Sequence, residues 1–294
     1  MKVALYGQYY QSNTEPIVSE ILHFLNQNKV EIVIEQRYSE MLSEHQIIKQ
    51  EYKTFNSYKD LNKSYAMLIS IGGDGTILRA ATFIRNTGVP ILGINAGRLG
   101  FLANIQQENI ALFLDLVLQK KYLISPRTLL SLKCSPKNAA VENINFAMNE
   151  ITVNRKDTTS MITVETYLNG EYLNSYWADG LIISTPTGST GYSLSCGGPL
   201  LTPDVKSLVI TPIAPHNLNA RPLVIPDNTE IKLKVSGRES QHLVSLDSTI
   251  ISMNNETILT IKKTPFKINM IEFPEEGFLK TIRKKLLWGE DKRN

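Results

Sequence analysis

The spacing of apolar residues changes part-way along the chain, and that change divides it. Up to about residue 125, short apolar runs alternate with segments whose apolar residues recur at helical spacing. Lys2 to Tyr6, Val30 to Ile34, Tyr65 to Ile71 and Pro90 to Asn95 read as strands, and Glu15 to Asn28, Thr76 to Asn86 and Glu108 to Lys121 as helices. This alternation predicts a parallel sheet covered by helices, with ligands expected at the carboxyl ends of its strands. The stretch Tyr38 to Lys63 is polar and weakly periodic and is expected to be a mobile excursion.

From Arg127 to about Asn269 the pattern becomes one of short, alternating, β-branched runs: Leu129 to Lys133, Ile151 to Asn154, Ile162 to Leu168, Leu181 to Thr185, Leu208 to Thr211, Glu230 to Val235, Leu243 to Leu246 and Ile258 to Ile261. Turn residues such as Asn169-Gly170 separate them, so an all-β domain of packed sheets is expected. Phe273 to Trp288 reads as a closing helix with Phe278, Ile282, Leu286 and Leu287 on one side. The expected organisation is an α/β N-terminal domain with a parallel sheet (1–125), an all-β C-terminal domain (126–270), and a C-terminal helical segment (271–294) that returns to the first domain.

Composition narrows the class. With 294 residues, 42% hydrophobic and 20% charged, the chain suits a globular protein of two domains. No apolar run approaches the ~20 residues of a membrane span, and the opening Met1-Lys2-Val3-Ala4-Leu5-Tyr6 reads as a strand and not as a signal peptide, so a cytoplasmic location is expected. Cys134 and Cys196 lack paired spacing, and His23, His45, His216 and His242 lack metal-ligand spacing, with His23 placed on the apolar face of a helix. No resident metal is therefore assigned. A net charge of +3 does not indicate nucleic-acid binding, and the cluster Lys280, Arg283, Lys284, Lys285 suits a solvated helix face.

Two segments carry chemistry. Ile71-Gly72-Gly73-Asp74-Gly75-Thr76 follows an apolar strand and places a lone carboxylate inside a glycine turn. Glycines let backbone N–H groups approach a polyphosphate at a helix start, and a carboxylate there suits a base toward a hydroxyl or a metal ligand. The same residues also fit a plain strand-to-helix turn in which Asp74 caps a helix begun at Thr76. The second segment, Ala178 to Ser193, ends a strand in a run of hydroxyls and glycines that suits phosphate or ribose, with Tyr192 able to stack on a base; a solvated Ser/Thr/Gly turn is the alternative. Asn149-Glu150 precedes a strand and suits a diol, provided that a turn or bulge lets both side chains reach one ligand.

Gly72-Gly73-Asp74-Gly75-Thr76, Asn95-Ala96-Gly97-Arg98-Leu99-Gly100-Phe101-Leu102, Asn149-Glu150, Asp179-Gly180, Thr185-Pro186-Thr187-Gly188-Ser189-Thr190, Gly197-Gly198-Pro199 and Pro212-Ile213-Ala214-Pro215-His216 together resemble the bacterial NAD kinase family, over roughly Tyr65 to Asp247. The resemblance implies transfer of the ATP γ-phosphoryl group to the 2′-hydroxyl of the adenosine ribose of NAD, giving NADP and ADP, with Asp74 as catalytic base and Mg²⁺ accompanying ATP. It further implies Gly75 and Thr76 near the phosphates, Asn149 and Glu150 on the nicotinamide-side ribose, Asp179 near the nicotinamide portion, and Thr187, Ser189, Thr190 and Tyr192 around the NAD site. Arg79 and Arg98 are candidates to stabilise phosphate, and Asp247 is a further site candidate. The site is expected where the glycine loop of one domain meets the hydroxyl-rich turn of the other. A homodimer or homotetramer assembled through the β domain is expected, with no nucleic-acid or membrane partner.

The chain departs from the family pattern at three places. Trp177 stands where some members carry a basic residue, Gly191 where alanine is common, a change expected to loosen the turn, and Ser248 where glycine is common. Two rival readings are a lipid kinase of the diacylglycerol-kinase type, which shares the Gly-Gly-Asp-Gly-Thr loop, and a non-catalytic NADP-binding sensor, for which a carboxylate near phosphates has no use.

Overall fold

The computed structural model describes residues 1–8, 14–97, 100–103, 105–157, 160–217 and 219–287. The chain forms two compact units, one comprising Met1 to Pro126 and the segment from Ile268 onward, the other Arg127 to Lys267.

In the first unit the apolar runs become strands β1 (Lys2–Gly7), β2 (Glu31–Glu35), β3 (Lys53–Phe55), β4 (Met67–Ile71), β5 (Ile91–Ile94) and β6 (Leu123–Arg127). Between them lie helices α1 (Thr14–Gln27), α2 (Gln36–Glu44), α3 (Asp74–Ile84) and α4 (Ile110–Leu118). Val3, Leu5, Leu68 and Ile69 are fully buried, as expected of parallel strands sandwiched by helices. The expected mobile excursion is instead ordered as α2, β3 and a short turn at Tyr58–Asp60. Tyr38 and Leu42, four residues apart, anchor α2 in the core with Met41 packed partly beside them, while its other positions are polar, so the periodicity is weak. His23 is exposed on α1 and not on its apolar face.

The second unit contains β7 (Leu130–Ser135), α5 (Ala139–Asn143), β8 (Phe146–Ala147), β9 (Glu150–Arg155), β10 (Ile162–Leu168), β11 (Glu171–Ala178), β12 (Gly180–Ser184), α6 (Tyr192–Ser195), β13 (Ser207–Ile213), β14 (Leu223–Pro226), β15 (Ile231–Gly237), β16 (Gln241–Leu246), β17 (Thr249–Asn254) and β18 (Ile258–Lys263). They form two six-stranded sheets, ordered β11-β10-β15-β18-β7-β8 and β14-β13-β12-β9-β16-β17. One cluster joins Leu132, Val164, Leu233 and Leu259 of the first sheet to Val153, Leu181, Ile210 and Val244 of the second, the interior of a sandwich.

The chain then re-enters the first unit as β19 (Ile268–Glu272) and α7 (Phe278–Leu286). Met270 lies opposite Ile91, so β19 extends the parallel sheet, whose order is β3-β2-β1-β4-β5-β19-β6. The closing helix is shorter than expected because Phe273 packs into the core against Phe113 and Pro274 opens a separate turn. Ile282 is buried, whereas Leu287 is exposed and Trp288 falls outside the described residues.

The first sheet has a topological switch point. The chain runs outward from β1 to β2 and β3, then crosses back to place β4 on the other side of β1. Gly7 and Gln8 leave β1, and Gly72 and Gly73 leave β4, at the carboxyl edge where such sheets bind ligands.

Candidate active site

The glycine turn after β4 is shaped by close approaches. Gly72 has φ +151°, and a Cβ there would overlap the Thr76 hydroxyl, so only glycine fits. Its N–H donates to Ile94 O at 2.9 Å, tying the turn to the end of β5. Thr76 is buried and its hydroxyl donates to Gln8 Oε1 at 3.0 Å, tying the turn to the end of β1.

Asp74 does not cap a helix begun at Thr76. It is the first residue of α3, whose N-cap is Gly73, and its carboxylate reaches across to another loop. Phe101 N–H donates to Oδ2 at 2.8 Å, while Leu102 N–H and Ala103 N–H donate to Oδ1 at 2.9 and 3.1 Å. Gly100 presses on the same group so closely that a Cβ would overlap the carboxylate. A carboxylate has about four acceptor positions, so Oδ2, with one bond, retains capacity for a further proton donor. Gly75 is exposed on the first turn of α3, where the helix dipole favours negative charge.

Arg79 is exposed on α3 and lines a cavity of about 1100 Å³ at the carboxyl ends of β1 and β2, with Gly7, Glu35, Arg37, Tyr38 and Asn56. Glu35 is buried and accepts Tyr38 N–H at 2.8 Å, capping α2. The Tyr38 hydroxyl is buried without a hydrogen-bond partner among the described residues, and burial raises its pKa. Arg98 lies outside the described residues.

In the second unit, Asp247 and Asn149-Glu150 form one assembly. Asp247 sits in the β16–β17 turn with φ +50°, and its carboxylate accepts three successive N–H groups: Met148 at 2.8 Å, Asn149 at 2.8 Å and Glu150 at 3.1 Å. Asp247 thus holds the strand entrance. Because Asn149 precedes β9, its side chain is free of the strand's alternation. A Cβ placed on Gly191 would lie 2.9 Å from Glu150 Oε2 and 3.4 Å from Asn149 Nδ2, so the adjacent side chains converge. Alanine at 191 would therefore press on the Glu150 carboxylate. Asn149 Oδ1 and Glu150 Oε2 are both buried without partners among the described residues.

Burial, then the nearby Asp247 charge, pushes the Glu150 carboxyl up to about 8, partly offset by the Tyr192 N–H. Burial raises Asp247 to about 6, opposed by its three N–H bonds. Tyr192 is 42% exposed at the start of α6, its phenol raised by burial and by Cys196, Asp179 and Glu150 nearby.

Not every hydroxyl of the turn faces outward. Ser189 is fully buried, donating to Pro186 O at 2.7 Å and accepting Leu201 N–H at 3.0 Å, while Thr190 donates to Thr187 O at 3.0 Å and Thr187 is itself buried. These bonds build the turn. Asp179 pairs with Arg155, Nη1 to Oδ1 at 3.0 Å, a partner that sequence reading missed because only the β9–β12 register, Asn154 opposite Gly180, brings the two together. Trp177 is half exposed, and its ring packs on His216 at 5.2 Å.

Family comparison agrees with this architecture. The ATP-NAD kinase N-terminal domain matches residues 3–122 and the ATP-NAD kinase C-terminal domain matches residues 148–273. The chain is 72% identical to the NAD kinase of Flavobacterium psychrophilum and 70% identical to that of Flavobacterium johnsoniae, each over 294 residues and 100% of both chains. The NAD kinase of Bacteroides fragilis is 40% identical over 293 residues, with 100% of both covered. Among solved structures, an NAD kinase from Archaeoglobus fulgidus in complex with ATP has TM-score 0.74 and 25% identity, covering 97% of each chain. Yeast NADH kinase complexed with NADH has TM-score 0.88 over 99% of this chain and 88% of that one, at 23% identity, and so speaks to the fold.

Proposed function

The chain belongs to the NAD kinase family, and from that premise we propose that it transfers the γ-phosphoryl group of ATP to the 2′-hydroxyl of the adenosine ribose of NAD, giving NADP and ADP. The observation that carries this reading is the Asp74 carboxylate, immobilised by three N–H groups at the first turn of α3. A secondary hydroxyl is a weak nucleophile, and phosphoryl transfer needs little from a protein beyond positioning, charge stabilisation and a proton acceptor. Asp74 Oδ2 supplies the acceptor. The first turn of α3, with Gly75, supplies the positive end of a helix dipole for the donor phosphates. Arg79 and the cavity at the switch point suit the donor nucleotide, with Thr76 acting as a brace of the turn.

The acceptor dinucleotide is assigned to the second unit. Unpartnered Asn149 Oδ1 and Glu150 Oε2 need hydrogen-bond partners, and a ribose diol can donate and accept at both. Burial raises the pKa of Glu150, and in its protonated form it can donate, which a carboxylate cannot. Tyr192 offers a ring and Asp179 a carboxylate beside it, whereas Thr187, Ser189 and Thr190 shape the turn.

Among the described residues no group of three or more His, Cys, Asp or Glu is arranged to hold a metal, so Mg²⁺ is assigned to the incoming ATP. Bound there, it neutralises phosphate charge. No described helix is long and apolar enough to cross a membrane. A homodimer or homotetramer in the cytoplasm completes the reading, supported by the family resemblance alone.

The test is direct. Purified protein incubated with NAD and Mg·ATP is expected to yield NADP, detected with an NADP-specific dehydrogenase, and Asp74→Asn is expected to abolish it with the fold intact. NADP binding without turnover in the parent protein would refute the assignment.

A further inference from the structure

Helix α7 lies beyond both family matches, the second of which ends at residue 273. Within it only Thr281 and Ile282 are buried, so little of the helix serves the core. Two of its other side chains converge on a single ring. The Phe278 ring lies 6.5 Å from that of Phe101, tilted at 45°, and the Lys285 ammonium sits over the Phe101 ring 4.5 Å from its centroid. Both distances fall within the ranges of aromatic-pair and cation–π attraction.

Phe101 is the residue whose N–H donates to Asp74 Oδ2. Its neighbours in the loop differ in how they are held. Leu102 and Ala103 are buried, and Gly100 has no side chain to anchor, whereas Phe101 is half-buried and leans on α7. We infer that α7 positions the Asp74 carboxylate through Phe101: Phe278 and Lys285 grip the ring and thereby fix the peptide whose N–H meets Oδ2, the oxygen with capacity left for a substrate hydroxyl. Phe101, Phe278 and Lys285 are positioning residues that act through Asp74. The helix is also held by its buried Thr281 and Ile282, so changing the grip need not detach it.

The inference rests on the kinase reading for its rate effect, and amide exchange tests it independently. Full-length parent, Phe278→Ala, Lys285→Ala, the double variant and Phe278→Tyr are compared by NADP formation, thermal midpoint and hydrogen exchange at residues 101–103. Phe278→Ala is expected to lower kcat on the order of tenfold, because small displacements of a reacting group cost rate steeply. The double variant is expected to lose more. KM for NAD and the midpoint are expected to hold, the amides of Phe101, Leu102 and Ala103 to exchange faster, and Phe278→Tyr to restore both rate and protection. Unchanged exchange in the double variant overturns the proposal. So does faster exchange at parental kcat, or a joint fall of kcat and midpoint that Phe278→Tyr fails to rescue. If the parent makes no NADP, the kinase reading fails, while the exchange measurement still decides whether α7 holds the loop.

Discussion

Asp247 and Glu150 hold each other from both ends. Glu150 N–H donates to Asp247 Oδ1 at 3.1 Å, and Asp247 N–H donates back to Glu150 O at 3.0 Å, so a turn between two strands locks the entrance to a third. The sequence offers Asp247 as a site candidate. Its carboxylate is instead occupied by backbone, which makes it a support for the residues beside it.

Asp247→Asn replaces one accepting oxygen with an amide donor opposite buried N–H groups. A loss of about 1–3 kcal/mol in stability is expected, with a raised KM for NAD, measured by urea unfolding and steady-state kinetics. A higher KM with undiminished stability would return Asp247 to the role of ligand contact.

Glu150 gives stability a pH dependence of definite sign. Its folded value near 8 lies above the ordinary 4.5, so between those pH values the folded protein binds more protons than the unfolded chain. Its contribution is fully present below pH 4.5 and is lost as pH rises through 8. Asp247, raised from 3.8 to about 6, acts in the same direction over its lower window. Glu150→Gln is expected to flatten the decline of unfolding free energy between pH 5 and pH 9, read from denaturant melts across that range (about 1.4 kcal/mol per unit of pKa shift). An equal slope in parent and variant would show that Glu150 is not the group responsible.

Gly100→Ala tests the approach of the loop to Asp74. The added methyl must displace the carboxylate, so kcat is expected to fall by roughly 10- to 100-fold while calorimetric NAD affinity is retained. Parental kcat would mean that the carboxylate position does not govern the rate.

Tyr38→Phe removes a buried hydroxyl that lacks a partner among the described residues. Most buried Tyr→Phe changes destabilise, but here stability is expected to stay level or rise, since an unsatisfied group is removed. A loss above about 1 kcal/mol in denaturant melts would show that the hydroxyl is bonded.

Arg155→Ala exposes Asp179 without emptying the core. Both side chains of the pair are about one-third exposed, so the stability change is expected to stay within about 1 kcal/mol. If Asp179 contacts the dinucleotide, KM for NAD changes more than stability does, and an unchanged KM removes that role.

Much of the architecture could be read from periodicity, because a strand buried on both faces and a strand buried on one face leave different patterns in a single chain. Val3 to Leu5 and Leu68 to Ile71 show the first, Ile162 to Leu168 the second. α2 is weakly marked in sequence, because only Tyr38 and Leu42 among its residues are fully buried, and the closing segment is split because Phe273 belongs to the core of the sheet and not to the helix. Asp74 stands out as chemistry in its glycine turn, and its reach to the N–H groups of the 101–103 loop, which no local pattern encodes, excludes the capping alternative.

The sequence by itself determined where strands and helices form, which turns need glycine, and which residue types stand ready for phosphate and diol chemistry, since all of these depend on neighbours along the chain. Tertiary structure decided which groups are already spent. Ser189 is closed off by Leu201 and Asp247 is engaged by the 148–150 backbone, while Asp179 gives one oxygen to Arg155 and Asn149 Oδ1 and Glu150 Oε2 stay open. Burial and hydrogen bonding depend on contacts between distant parts of the chain, and these set both the direction in which Asp74 points and the raised pKa of Glu150.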